Sequence, residues 1–126
     1  MSYPENKKKL DKIFSLYIRL RDSDKEINRC FTCGNYFHYK RLHAGHYITR
    51  NHLSVRWDDR NVQPQCIGCN LYGGGKPQKY AIHLREKYGD GILEELELKK
   101  DLPPEINKHT IELYIMEFTH RLEGLQ

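Results

Sequence analysis

The sequence predicts an α+β domain, with helices at both ends and a β-rich middle bracketed by cysteines. Three observations predict it. Apolar residues recur at three- and four-residue spacing towards both ends, that period vanishes over residues 29–66, and two Cys-x-x-Cys pairs bound the aperiodic stretch. At 126 residues there is room for one domain with a real core. It reads as a basic N-terminal helix (1–25), a clasped core (29–88) and C-terminal helices (91–126). Hydrophobic residues at 38% and charged residues at 30% describe a globular chain, not a disordered one.

Residues 5–21 set Leu10, Ile13, Phe14, Tyr17 and Leu20 on one stripe of an amphipathic helix, which Asp22-Ser23-Asp24 ends. The middle carries short aromatic or β-branched runs at Tyr36–Tyr39, Tyr47–Thr49 and Ser54–Trp57, which predict one β-hairpin or two. Gly73-Gly74-Gly75 breaks the chain before a helix over 77–88, which Gly89-Asp90-Gly91 stops. A short helix follows at 91–100. Pro103-Pro104 then suits the start of a last helix reaching about residue 123, with Ile111, Tyr114, Ile115, Phe118 and Leu122 on its stripe. That stripe either packs on the first helix or dimerises.

Charge is uneven. Residues 1–60 hold 13 Lys or Arg against 7 Asp or Glu, and the remainder 8 against 10. The formal +4 is thus a basic front half against an acidic back half, compatible with nucleic acid. Apolar runs are short and interrupted by charge, which excludes a bilayer-spanning segment. The opening MSYPENKKK has no signal-peptide stretch, which predicts a cytoplasmic protein with reduced thiols.

Cys30-Phe-Thr-Cys33 and Cys66-Ile-Gly-Cys69 therefore read as metal ligands. Two intervening residues let each pair fold as a knuckle, and two knuckles close a four-thiolate zinc site with no open position, hence structural. The usual separation of such pairs is about 15–20 residues, whereas 32 intervene here. The zinc clasps a long excursion, and function is expected inside it.

Four histidines lie there: His38, His43, His46 and His52. His46 is set apart because Asn61 follows 15 residues later and Asn70 a further nine, directly behind Cys69. This His-x14-Asn-x8-Asn spacing resembles the HNH nucleases, in the branch that ends on Cys-x-x-Cys-Asn. The resemblance implies a zinc-stabilised ββα-metal core flanked by helices. Hydrolysis of a phosphodiester needs a base for water, and a neutral imidazole can serve. His46 is the expected base and Asn61 its orienting residue. Asn70, at the start of the following helix, offers oxygen to a catalytic Mg²⁺ or Mn²⁺. Gly45 stands where many HNH enzymes have a second ligand. His43 can substitute if the strand bulges at Ala44-Gly45; Asp58, Asp59 or His83, or water and phosphate, are the alternatives.

FSLYIRLRDSD (14–24), CFTCG (30–34), AGHYITR (44–50), VRWDDRNVQPQCIGCN (55–70) and GGG…KYAIHLREKYG (73–89) together resemble the phage NinG (Rap) recombination family, over about residues 10–100. Gly45 then belongs to an AGH motif. The resemblance implies a structure-specific endonuclease acting on branched DNA such as Holliday junctions and D-loops, in the host-cell cytoplasm. Arg50 and Arg56 are the first choices for phosphate contacts, with Lys40, Arg41, Arg19 and Arg21 beside them. Trp57, Tyr47, Tyr80 and Leu84 read as packing groups. Cutting two strands of a junction favours a homodimer. The other class of function open to this sequence is a zinc-knuckle DNA-binding or adaptor module with a decayed nuclease site, which Gly45 keeps in play.

Overall fold

The structure is a computed structural model and describes residues 1–125. It is mixed α+β, with five α-helices and two small antiparallel sheets among the described residues. Helix α1 (Tyr3–Leu20) starts at Ser2, whose hydroxyl accepts the Glu5 N–H at 3.2 Å, with Pro4 in the first turn. It ends where Arg21 turns extended and Asp22 takes a left-handed φ of 63°. The buried side chain of Asn28 then donates to the Arg19 and Arg21 carbonyls at 2.9 and 3.0 Å, satisfying acceptors that a helix end leaves free.

Strands β1 (Ile27–Arg29) and β2 (Tyr36–His38) form the first hairpin, and β3 (Leu42–His46) and β4 (Val62–Cys66) the second. In the second the register runs from Leu42 opposite Cys66 to His46 opposite Val62. Pro64 fits there because the sheet has only two strands, and its carbonyl accepts the Phe31 N–H at 2.8 Å. Two expected strands are absent. Tyr47–Thr49 lies in the connecting loop, and Ser54–Trp57 overlaps a helical turn, α2 (Leu53–Arg56). The β-like composition loses to a local tie, described below, from the Asn61 side chain.

Helix α3 (Pro77–Tyr88) matches the expected 77–88, and α4 (Ile92–Asp101) the short helix after it. Helix α5 (Lys108–Glu123) begins later than Pro103-Pro104 suggested. Asn107 and Thr110 form a reciprocal capping box there, accounting for donors that proline cannot.

Three packed clusters hold these pieces. Leu10, Phe14 and Ile18 of α1 meet Trp57, Val62, Ile111 and Phe118, with Phe14 edge-on to Phe118 at 4.8 Å. The stripe of α5 thus closes on α1, the first of the two uses open to it. Tyr80 and Leu84 of α3, Ile92 and Leu96 of α4 and Val55 form the second cluster. The third is Cys30, Cys66 and Cys69 with Leu42, Cys33 lying exposed at its edge. Tyr80, Leu84 and Trp57 are buried packing groups, as expected, and Tyr47 is half-buried against Tyr80.

Candidate functional site

The Cys30–Cys33 knuckle leaves β1, and Gly34, at a φ of 81°, turns the chain back towards β2. The Cys66–Cys69 knuckle closes β4. All four sulfurs lie within 4.8 Å of one another, with Cys33 Sγ and Cys66 Sγ 3.8 Å apart. A tetrahedral ion with Zn–S bonds of about 2.3 Å calls for sulfurs about 3.8 Å apart. The four cysteines are thus close enough to hold a zinc ion.

The environment favours thiolate at one of the four sulfurs. Burial pushes the Cys30 thiol up, but N–H groups of Cys33 and Cys66 at 3.5 and 3.3 Å, with the Thr32 hydroxyl, outweigh it and draw the thiol down to about 6. Desolvation and the neighbouring sulfurs push Cys33 up to about 12, and Cys69 rises for the same reasons. Cys30 is thus drawn towards the charged form, while Cys33 and Cys69 would need a cation beside them to become thiolates.

His46 ends β3. Its Nε2 lies 2.9 Å from the Arg56 carbonyl oxygen, which only accepts, so Nε2 is protonated and donates. Burial is the main cause holding this imidazole below its usual range, so it is neutral at pH 7 with the Nδ1 lone pair free. Asn61 is fully buried between the strand ends. Its Oδ1 accepts the Ile48 N–H at 2.9 Å, and its Nδ2 donates to the Ile48 and Val55 carbonyls, each at 3.0 Å. These bonds fix the 47–61 loop that carries Arg56, the acceptor for His46. The expected orienting position is where the chain has such a tie.

Asn70 differs from expectation in its setting. It sits in a single π-helical turn, Gly68–Tyr72, and α3 starts only at Pro77. The knuckle must first close on Cys69, and the glycines then redirect the chain. Its side chain nevertheless meets His43, with Asn70 Nδ2 3.1 Å from His43 Nδ1. The bulge foreseen at Ala44-Gly45 is absent, since Ala44 pairs with Pro64 and Gly45 with Gln63 in regular register. His43 and His46 still line one cavity of about 310 Å³, with Asp11, Arg19 and Arg50. Gly45 has a packing cause: a Cβ there would overlap the buried side-chain amide of Gln65. The Tyr80 hydroxyl donates to the Gly45 carbonyl at 2.6 Å, fixing the strand from behind.

The other suggested metal ligands are engaged elsewhere. Asp58 is buried against Lys99 at 2.8 Å and Arg60 at 3.3 Å, and those cations hold its carboxyl below the usual range against the opposing effect of burial. Asp59 pairs with Arg121, and half-buried His83 with Glu86.

The arginines divide in a way the sequence does not announce. Arg56 is mostly buried and, with Arg50 at 2.8 Å, grips the Asp11 carboxylate; Trp57 Nε1 donates to the same group at 3.0 Å. Arg21 donates to the Val62 carbonyl at 2.7 Å, and Arg19 to Ser15 and the Tyr39 carbonyl. Arg19, Arg21 and Arg56 therefore serve the fold, because each meets an acceptor on a packed neighbouring element. Arg50 remains more than half exposed, and Lys40 and Arg41 are exposed. Asp11 is the residue the sequence reading missed. Its signal was there: it is the single acid between residues 6 and 21, on a stretch otherwise charged with Lys and Arg.

Among the described residues, no helix is long and apolar enough to cross a membrane. The family model described as bacteriophage lambda NinG protein matches residues 2–124. Protein ninG of Salmonella phage P22 is 32% identical over 91 residues, that of Escherichia phage 933W 31%, and that of Escherichia phage lambda 30%; each match covers 71% of this chain and 43% of the relative. The chain thus matches less than half the length of these curated relatives. No solved structure matches.

Proposed function

The chain belongs to the NinG family of phage proteins, and on that premise we propose that it is a metal-dependent endonuclease acting on branched DNA during phage recombination. One observation carries the reading: a half-buried, neutral His46 whose Nε2–H is committed to the Arg56 carbonyl and whose Nδ1 is free, in a cavity shared with His43 and Arg50. That is the arrangement a general base requires. His46 Nδ1 takes a proton from water, the hydroxide oxygen bonds to phosphorus, and the bond to the leaving sugar oxygen breaks. The leaving oxygen takes up a proton, giving one phosphate end and one hydroxyl end.

With its amide nitrogen turned to His43, Asn70 keeps Oδ1 available as a hard donor. Asn70 through Oδ1, and His43 through a ring nitrogen once their mutual hydrogen bond opens, would hold a Mg²⁺ or Mn²⁺ ion, with water and phosphate oxygens completing its shell. Such an ion supplies charge stabilisation at the phosphate and leaving oxygen. Asn61 acts through the loop as a positioning residue. Arg50, Lys40 and Arg41 supply phosphate contacts, which hold DNA without reading its sequence. The cysteine cluster carries a structural zinc that ties Asn70 to the hairpin bearing His46. Gly45, with a packing cause of its own, does not argue for a decayed site.

The test is cleavage of labelled Holliday junction, flap and plain duplex DNA with Mg²⁺ or Mn²⁺, by wild type and His46→Ala. Cutting by wild type and its loss in the variant support the reading. Binding without cutting under either metal sinks the enzyme and leaves the adaptor module. Equal cutting by His46→Ala sinks the base assignment.

A further inference from the structure

The turn that carries Asn70 also displays the most exposed large aromatic side chain of the knuckle region. Tyr72 is 85% exposed, with Leu71 at 59% and Ile67 at 46%. Single exposed apolar side chains are ordinary, but three within six residues beside a candidate site form a patch. The turn is not loose. Cys66 and Cys69 fix it through the sulfur cluster, and Gly73 N–H donates to the Gly68 carbonyl at 2.7 Å. Gly75 N–H reaches the Cys69 carbonyl at 2.8 Å, and the Gly75 carbonyl accepts from buried Gln65 at 2.9 Å. A Cβ on Gly73 would lie 3.0 and 3.1 Å from the Cys69 and Gly68 carbonyl oxygens, so the tight return favours glycine. A side chain held out on so well-tied a backbone gives up little conformational freedom when something lands on it.

Charge indicates what lands. Residues 61–85 contain no Asp or Glu, while Lys76, Lys79 and Arg85 are cations, all three exposed. An aromatic knob within an acid-free, cationic segment suits a polyanion that offers flat apolar faces, namely a nucleic acid. In continuous duplex every base is already stacked between neighbours. An unpaired or end-stacked base becomes available at a branch, flap or junction.

We propose that Tyr72, supported by Leu71, stacks on a base exposed at a DNA branch point and so sets the preference for branched over continuous DNA. The inference rests on the nuclease reading for its position: Tyr72 lies two residues from Asn70, whose amide meets His43, so the stacked base adjoins the phosphate to be cut.

The test reads binding separately from chemistry. A three-way junction carrying 2-aminopurine at the branch is titrated, in Ca²⁺, with the intact wild-type protein, Tyr72→Ala and Tyr72→Phe; plain duplex is the comparison. Wild type should quench the branch fluorophore. Tyr72→Ala should lose the quenching and bind the junction about 5- to 160-fold more weakly, the range corresponding to base–aromatic stacking. Plain-duplex affinity should stay within about twofold, and Tyr72→Phe should behave as wild type. Unchanged junction affinity in Tyr72→Ala overturns the inference, as does an equal loss on duplex, a Phe variant as weak as Ala, or a wild type that binds no DNA. If wild type never cuts but the Tyr72 dependence stands, the nuclease reading falls and this one survives.

Discussion

The two ends of the β3–β4 hairpin carry polar clusters of opposite character. At the Leu42–Cys66 end, sulfurs converge within 4.8 Å, three of the four cysteines are buried, and backbone N–H groups point inwards at them. At the His46–Val62 end, Asn61 closes its own bonds while His46 keeps Nδ1 unspent, and a cavity of about 310 Å³ opens over His46 and His43. A closed set of ligands around one point is how a chain secures its fold. A neutral imidazole with one nitrogen anchored and the other free is what the proposed chemistry would need. The Cys66–Cys69 knuckle joins the two, because it places Asn70 against His43.

Breaking the closed end should have the largest effect. Structural zinc contributes on the order of 10–16 kcal/mol in small domains, at or above the whole stability of a typical fold. Chelation, or Cys69→Ser, should abolish the cooperative thermal melt and release about one zinc per chain. A stoichiometric zinc loss that leaves the melt intact would separate the clasp from the fold. The open end should respond in the other way. His46→Ala should cut the cleavage rate by about 10²- to 10⁴-fold with little change in melting temperature, since its one tie is to a carbonyl. If the melt collapses instead, the contrast between the ends is wrong.

Asn61 tests the border between them. Asn61→Ala strands three backbone groups, two on half-buried Ile48 and one on buried Val55, and should cost about 2–4 kcal/mol in denaturant unfolding as well as slowing cleavage. Asp11→Asn removes the charge that Arg50 and Arg56 share, leaving mostly buried Arg56 poorly paired. A loss of about 1–3 kcal/mol is expected, and a neutral result would mean Arg56 is free for DNA after all. The smallest effect is in pH. Burial holds His46 below the ordinary value of about 6.5, so the acid limb of the rate profile should fall below that pH. The same depression makes the folded state bind fewer protons than the unfolded one, so stability should decline slightly as pH drops from about 6.5 towards the folded value. An acid limb above 6.5 would assign the base elsewhere.

The helices were legible because their signal is local: Leu10 and Phe14 mark α1, and Tyr80 and Leu84 mark α3, at a period set by the backbone. Ser54–Trp57 was misread as strand because composition is a weak guide where one buried side chain, Asn61, ties the loop from a distance. The candidate site was partly legible. His46, Asn61 and Asn70 stood out by spacing, and the structure ties His46 to the loop that Asn61 fixes and sets Asn70 against His43.

What the sequence determined by itself is the clasp and the helical frame, since a two-residue spacing makes a knuckle and a repeating apolar stripe makes a helix wherever the chain goes. What only the tertiary structure decided is the employment of the charges and the turn. Arg56 and Arg50 meet Asp11 across 39 or more residues, Asn70 rides a π turn away from α3, and Tyr72 is held out in solvent. Those outcomes depend on which acceptor lies within hydrogen-bond reach once the hairpin packs on α1. No spacing along the chain encodes that distance.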